Sequence, residues 1–212
     1  MLQINETFKS VQGESTHAGK VCFFIRLTGC NLRCSYCDTV YAWQDGRPRT
    51  VESLVEEAVL SGCTLCEITG GEPLFQPEAP VLAQALLDAG KQVLVETNGS
   101  LDFSVLPPEC CRIVDCKLPG SGMAEYNCYA AYCHLTWRDE VKFVVSDRQD
   151  FEFAEAVIER YKLPEKTPNL IFSPVWDRIS FETLAQWVVE SRLPLRMQLQ
   201  MHKLIWGDRK GV

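Results

Sequence analysis

Thr28-Gly29-Cys30-Asn31-Leu32-Arg33-Cys34-Ser35-Tyr36-Cys37-Asp38 follows at once on the apolar run Val21-Cys22-Phe23-Phe24-Ile25-Arg26-Leu27. The run is short and rich in aromatic and β-branched residues, which predicts a strand and puts the cysteines at its carboxyl end. Three thiolates within eight residues can hold one cubane iron–sulfur cluster by three of its irons, leaving the fourth free for a small molecule. A four-iron electron carrier normally supplies four cysteines, and a structural zinc site normally closes four ligands. The incomplete set therefore predicts a site kept open for chemistry. A non-catalytic iron–sulfur carrier or zinc module is the rival from another class, and would need a fourth ligand such as Cys63 or His17.

Working outward, strand-like runs alternate with helical stripes. Thr50 is a plausible N-cap for a helix carrying Val51, Leu54, Val55, Ala58 and Val59, ended by Gly62. Leu65 to Thr69 reads as strand, and Leu82, Ala85, Leu86 and Ala89 mark a helix stopped by Gly90. Further strands are predicted at Gln92 to Glu96, Arg112 to Cys116, Val141 to Val145, Asn169 to Phe172 and Arg196 to Gln200. Helices are predicted over 150–162 and through Phe181, Leu184, Ala185, Val188 and Val189. Such alternation implies right-handed βα units and a parallel sheet. Six or so strands are too few for an eight-unit barrel of ~250 residues, so the expected fold is α/β, a compact partial (β/α)6-type barrel spanning 1–212 as a single domain. In such folds ligands bind at the carboxyl ends of strands. Thr28-Gly29-Cys30, Thr69-Gly70-Gly71-Glu72-Pro73, Thr97-Asn98-Gly99 and Lys117 all fall there.

A formal charge of −7 and a pI near 5.1 argue against a protein that coats nucleic acid. No apolar stretch approaches the ~20 residues of a membrane span, and the first residues carry neither a basic segment nor an apolar signal core. Eleven cysteines, an odd count without a secretory signal, fit poorly with a disulfide scaffold. The expected compartment is the cytoplasm, with most of the other cysteines acting as small buried hydrophobes.

The spacing Cys30-x3-Cys34-x2-Cys37, with Tyr36 before the last cysteine, resembles the radical S-adenosylmethionine (SAM) signature, and Thr69-Gly70-Gly71-Glu72-Pro73 resembles that superfamily's glycine-rich segment. The resemblance implies a four-iron cluster whose open iron chelates SAM, passes one electron to the sulfonium and yields a 5′-deoxyadenosyl radical. Glycines 70 and 71 would let the backbone approach the methionine portion, with Glu72 a candidate for its ammonium end. More specifically, Ile4-Asn5-Glu6-Thr7-Phe8-Lys9-Ser10-Val11-Gln12-Gly13-Glu14, Phe24-Ile25-Arg26, Cys37-Asp38-Thr39 and Gln198-Leu199-Gln200-Met201-His202-Lys203 resemble the 7-carboxy-7-deazaguanine synthase family. That implies a lyase converting 6-carboxy-5,6,7,8-tetrahydropterin by hydrogen abstraction, ring contraction and loss of ammonia. SAM is regenerated, and the product leads toward queuosine and related deazapurines.

By the same resemblance Cys30, Cys34 and Cys37 hold the cluster and Thr39 ligates magnesium. Val11, Gln12, Gly13, Glu14, Arg26, Thr69, His202 and Val212 contact substrate, with Arg26 suited to the substrate carboxylate. Tyr36, Gly71, Glu72, Asp115, Cys116, Lys117, Ser173, Pro174, Val175 and Trp176 contact SAM. A flavodoxin or ferredoxin as electron donor and a homodimer complete the expectation. Arg26 could instead form a structural ion pair, and Lys117 could simply be solvated. Two departures from the family pattern stand out: Ser15 where a glycine is usual, and Asp115-Cys116 in place of Ser-Pro before the lysine. A glycyl-radical-enzyme activase shares the cysteine spacing, but would need a surface for a protein loop.

Overall fold

The amino-terminal residues form a ten-residue strand, β1 (Leu2–Val11), antiparallel to β2 (Val21–Leu27) and to the short β3 (Arg47–Arg49). The computed structural model describes residues 1–207 and 209–211. Sequence reading took the first stretch as a motif rather than a strand. Its period-2 burial is nevertheless plain, with Leu2 and Ile4 buried and Gln3 exposed.

From β2 onward the strands run parallel: β4 (Leu65–Gly70), β5 (Gln92–Thr97), β6 (Cys111–Asp115), β7 (Glu140–Val145), β8 (Asn169–Pro174) and the two-residue β9 (Arg196–Met197). The sheet order is β3-β1-β2-β4-β5-β6-β7-β8-β9. The partial barrel expected from the alternation is thus present, with an antiparallel pair added at one edge. Helices α1 (Val51–Leu60), α2 (Ala79–Asp88), α3 (Arg148–Arg160) and α4 (Phe181–Glu190) cover the outer face. Thr50 caps α1 as expected, accepting a bond from Ser53 N at 3.2 Å. Asp147 starts α3 two residues earlier than the sequence stripe, accepting from Asp150 N at 2.9 Å.

The crossovers from β5 to β6 and from β6 to β7 contain only 3-10 turns among the described residues, including Phe103–Val105 and Tyr129–His134. Aromatic packing replaces the absent helices: Tyr129 stacks on Tyr161 at 4.6 Å, and Tyr132 meets Tyr129 edge-on at 5.5 Å. Buried Arg112 forks onto Asp139 through Nε (2.9 Å) and Nη2 (2.6 Å), clamping the start of β6 to the residue before β7.

The strand expected over 196–200 stops at Met197, and a helix the sequence reading missed, α5 (Met201–Trp206), follows. Gln198 Nε2 donates to Ser15 O (2.7 Å), and Met201 N donates to Gly13 O (2.9 Å). These contacts pull the chain off the sheet edge toward the β1–β2 loop.

Candidate active site

Strand registers set which side chains enter the barrel. Cys22, Phe24 and Arg26 share the inner face with Leu65, Glu67 and Thr69, then with Leu94 and Glu96, Cys111, Ile113 and Asp115, and Lys142 and Val144. The lower part of this face is an apolar cluster of Cys22, Phe24, Leu65, Leu94, Cys111 and Ile113. Above it the lining turns polar and opens into a cavity of about 640 Å³ at the carboxyl ends of the strands.

The cysteine loop forms one wall. Cys30, Cys34 and Cys37 are free, half-buried and line the cavity, and no other cysteine lines it among the described residues. Gly29 N donates to Ala42 O (2.8 Å), Ser35 N to Ser121 O (3.0 Å) and Ser35 Oγ to Gly120 O (2.7 Å), so the loop is tied down on both flanks. Asn98 Nδ2 reaches Cys30 Sγ at 3.7 Å. Burial raises the thiols of Cys34 and Cys37, with Lys117 opposing the rise at each. Three soft donors on one anchored loop, facing a cavity with no fourth cysteine, fit a cluster held by three irons.

The glycines of Thr69-Gly70-Gly71 serve a tighter purpose than expected. A Cβ on Gly70, whose φ is +149°, would stand 2.2 Å from Leu27 O, and one on Gly71 would stand 2.2 Å from Gly29 O. Their missing side chains admit the end of β2 and the cysteine loop, so the close approach is protein against protein. Gly71 still lines the cavity. Glu72 does not: fully buried, its carboxylate accepts from Leu74 N (2.9 Å), Thr97 Oγ1 (2.9 Å) and Asn98 N (2.6 Å), tying the end of β4 to that of β5. Burial raises this carboxyl to about 7, with those N–H groups opposing.

Of the expected SAM contacts, Tyr36, Gly71, Asp115, Lys117, Val175 and Trp176 line the cavity. Lys117 Nζ donates to Asp115 Oδ2 at 2.7 Å, so the lysine is buried in an ion pair rather than solvated. Asp115 Oδ1 is a buried polar atom on the cavity wall without a protein partner. An orphaned acceptor of this kind fits a bound polar ligand. Cys116 points the other way, into the outer core, where burial raises its thiol to about 12. Ser173 and Pro174 are buried in β8, outside the cavity lining.

Val11, Gln12, Gly13, Glu14, Arg26, Thr69 and His202 all line the same cavity, as does Thr39. Val212 lies outside the described residues. Arg26 Nε donates to Glu6 Oε1 (2.8 Å), and its guanidinium sits 5.8 Å from the ring centroids of both Phe8 and Tyr41. The ion-pair alternative is therefore realised through one nitrogen, and the terminal nitrogens have no protein partner among the described residues. Gly13 is pressed against His202, whose Nδ1 would stand 2.4 Å from a Cβ there. Thr39 Oγ1 donates to Asp38 Oδ1 (2.9 Å), and Asp38 pairs with Lys203 (2.7 Å).

Ser15, the departure from the expected glycine, adopts φ +65°, the left-handed region a glycine favours, and its hydroxyl accepts from His17 N at 3.0 Å. The loop path survives the substitution. From there Gln12 reaches Glu67, Glu14 reaches Lys142 (2.8 Å) and Thr16 reaches Glu140 (2.5 Å), so the β1–β2 loop closes the barrel interior.

Sequence reasoning missed an inner charge cluster. Lys142 Nζ bridges Glu14 and Glu96; burial opposes its charge, but those two carboxylates outweigh burial and hold its pKa well above the usual lysine range. Glu67, two per cent exposed, is raised well above the carboxylate range by burial and the Glu96 charge. A carboxyl pushed toward its neutral form, a cation and two further carboxylates thus gather beside the cavity. The signal was available: Glu67 in Leu65-Cys66-Glu67-Ile68 and Lys142 in Val141-Lys142-Phe143 are charges inside apolar strands, where charges are rare unless paired.

Residues 24–115 match the Radical SAM superfamily model. A 7-carboxy-7-deazaguanine synthase of Chlorobaculum tepidum is 40% identical over 215 aligned residues, covering 100% of this chain and 97% of that protein. Its counterpart in Koribacter versatilis is 39% identical, with 100% of both chains covered. The crystal structure of QueE from Escherichia coli superposes with a TM-score of 0.78 over 95% of this chain and 94% of that one, at 24% identity.

Proposed function

The chain belongs to the 7-carboxy-7-deazaguanine synthase family of the radical SAM superfamily, and from this premise we propose that its barrel cavity converts 6-carboxy-5,6,7,8-tetrahydropterin to 7-carboxy-7-deazaguanine with loss of ammonia. It is a radical SAM lyase of queuosine and 7-deazapurine biosynthesis. The observation that carries the reading is that the three-cysteine loop and the candidate substrate residues Gln12, Gly13, Glu14, Arg26, Thr69 and His202 line one cavity.

Cys30, Cys34 and Cys37 would hold the cluster. With SAM bound, the pair supplies one-electron cleavage of a carbon–sulfur bond and hence a carbon radical able to take hydrogen from the substrate. The chain's own residues do the remaining work. Asp115, Lys117, Tyr36, Val175 and Trp176 shape the SAM side, and the unpartnered Asp115 Oδ1 offers an acceptor there. Arg26, held by Glu6 and two aromatic rings, turns its free guanidinium edge to the substrate carboxylate. The Lys142 ammonium gives a donor facing the polar heterocycle, Glu14 and Glu96 accept, and Glu67 lines the same wall with its carboxyl pushed toward the neutral form. The Gln12–His17 segment closes the cavity from below and helps exclude water.

Magnesium belongs to the same proposal. Thr39 would offer one hydroxyl, with substrate oxygens and waters completing the octahedral shell that this ion prefers. A flavodoxin- or ferredoxin-type electron donor, a homodimer and a cytoplasmic setting complete it. The odd number of cysteines supports a reducing compartment. Among the described residues no helix is long and apolar enough to cross a membrane.

The deciding experiment is anaerobic: reduced, cluster-loaded protein is incubated with SAM and the carboxypterin, and products are read by mass spectrometry. Deazaguanine and ammonia should accumulate while SAM is recovered, and Cys34→Ala should lose both cluster and turnover. Net consumption of SAM with no deazaguanine overturns the proposal.

A further inference from the structure

The geometry points to a second metal site, at the floor of the barrel: we propose that His17, Cys111 and Glu140 bind one thiophilic divalent cation of the zinc class. The three donor atoms lie within 4.8 Å of one another, and all three residues are buried. Cys111 and Glu140 are the first residues of β6 and β7, and His17 comes from the β1–β2 loop. The triad therefore sits at the amino ends of the strands, away from the cysteine loop at their carboxyl ends.

Three features favour a cation there. First, the spacing fits: His17 Nδ1 and Cys111 Sγ each lie 3.8 Å from Glu140 Oε1, and all three donors lie within 4.8 Å of one another. Bonds of ~2.3 Å to sulfur and ~2.0–2.2 Å to nitrogen or oxygen put tetrahedral ligands roughly 3.3–3.6 Å apart, so the two pairs that share Glu140 need close by only a few tenths of an ångström.

Second, the charge balance asks for it. Glu140 is fully buried and, among the described residues, His17 is the one basic side chain within 4.0 Å of its carboxylate. Lys142, the next inward position on β7, is already shared between Glu14 and Glu96. Only neutral donors, Thr16 N (3.0 Å), Thr16 Oγ1 (2.5 Å) and the Cys111 thiol (3.8 Å), otherwise serve this carboxylate. A buried carboxylate without a countercharge is costly.

Third, the histidine is held by a group that can serve either tautomer. Its Nε2 lies 2.9 Å from Nε2 of Gln92, the first residue of β5, whose amide N–H donates to the ring. A half-turn of that amide presents its oxygen to Nε2–H instead, and the Nδ1 lone pair is then free for the cation beside Glu140 and Cys111. Gln92 is exposed, so the floor is one side chain from solvent.

A mixed sulfur, nitrogen and carboxylate donor set selects zinc over magnesium or calcium. Cys111 would bind as thiolate, its proton leaving to solvent, and a water could complete the shell. The ion would pin His17, and with it the loop carrying Gln12, Gly13 and Glu14, to the barrel floor.

The test does not depend on the reaction. The full chain bearing Cys30→Ser, Cys34→Ser and Cys37→Ser, which lacks the competing thiolates, is stripped with chelator, dialysed against Zn2+ without oxygen and analysed for metal. One zinc per chain should remain, with one sulfur neighbour by X-ray absorption. Adding Cys111→Ala or His17→Ala should abolish retention, whereas Cys133→Ala, at an exposed thiol, should not. Gln92→Ala should keep the stoichiometry at saturation but weaken affinity about 10–100-fold, an effect a purely structural contact would not produce. No retained zinc, no sulfur neighbour, or retention unchanged by Cys111→Ala overturns the site. Should Cys111→Ala fail to fold, the sulfur count and the Gln92→Ala affinity decide.

Discussion

Gly71 and Gly29 meet so closely that a single methyl group on Gly71 would stand 2.2 Å from the Gly29 carbonyl oxygen and 2.9 Å from Cys30 Cβ. The glycine-rich segment thereby holds the cysteine loop at the strand ends. Gly71→Ala should cost about 1–3 kcal/mol of stability through overpacking and displace Cys30. Iron and sulfide per chain after reconstitution should fall, with the circular dichroism of the fold retained. A full cluster complement in Gly71→Ala would show that the contact does not position the loop.

Arg26 is anchored by Glu6 on one edge and free on the other. Losing a hydrogen bond to a charged group costs roughly 1.5–3 kcal/mol, so Arg26→Ala should raise KM for the carboxypterin about tenfold to a hundredfold, with a smaller change in kcat. Arg26→Lys should restore little, because an ammonium cannot serve Glu6 and a carboxylate in the same fork. An unchanged response to substrate concentration would remove Arg26 from substrate binding.

Thr39 lines the cavity one residue from the Asp38–Lys203 ion pair. Thr39→Ala should shift the magnesium concentration needed for half-maximal rate upward, whereas Thr39→Ser, which keeps the hydroxyl, should not. Equal magnesium curves for wild type and Thr39→Ala would exclude a ligand role.

Glu72 takes up a proton more readily folded than unfolded, its carboxyl being raised from 4.5 to about 7 by burial. Its contribution to stability is complete below pH 4.5 and declines as pH rises through about 7. The loss is on the order of 3 kcal/mol across that window. Glu72→Gln should flatten this part of the profile. Denaturant unfolding at pH 5 and pH 8 measures it, and equal slopes for the two proteins would refute the assignment.

Asp139 receives Arg112 through two bonds and also accepts from Arg112 N (2.9 Å) and Thr136 N (2.7 Å). Among the described residues no α-helix braces the crossover from β6 to β7, so this clamp carries the connection. Asp139→Ala leaves a buried guanidinium without its countercharge, with only His134 O still accepting from it, and should destabilise the fold by about 3–5 kcal/mol, read by thermal or denaturant unfolding. The double variant Arg112→Met with Asp139→Ala should recover part of the loss.

Local chemistry made much of this legible. Short apolar, β-branched runs predicted the parallel strands, stripes at helical spacing predicted the four outer helices, and Thr50 announced its own helix. The cysteine spacing pointed to the cluster, because all three ligands come from one loop. Other roles needed the folded partial barrel. Glu72 reads as a cavity residue in Thr69-Gly70-Gly71-Glu72, yet three donors from neighbouring backbone and Thr97 draw it inside. Cys116 sits between two cavity residues but, by strand alternation, faces the core.

The amino-acid sequence by itself determined the βα alternation, the three-cysteine loop and the family, since each rests on neighbours within a few residues. Tertiary structure alone decided the Lys142 bridge between Glu14 and Glu96, the Gly71–Gly29 contact and the gathering of His17, Cys111 and Glu140. Those partners are separated along the chain by up to 128 residues. Only the stagger of strands around a closed interior, with low polarity that makes each unpaired charge costly, brings them together.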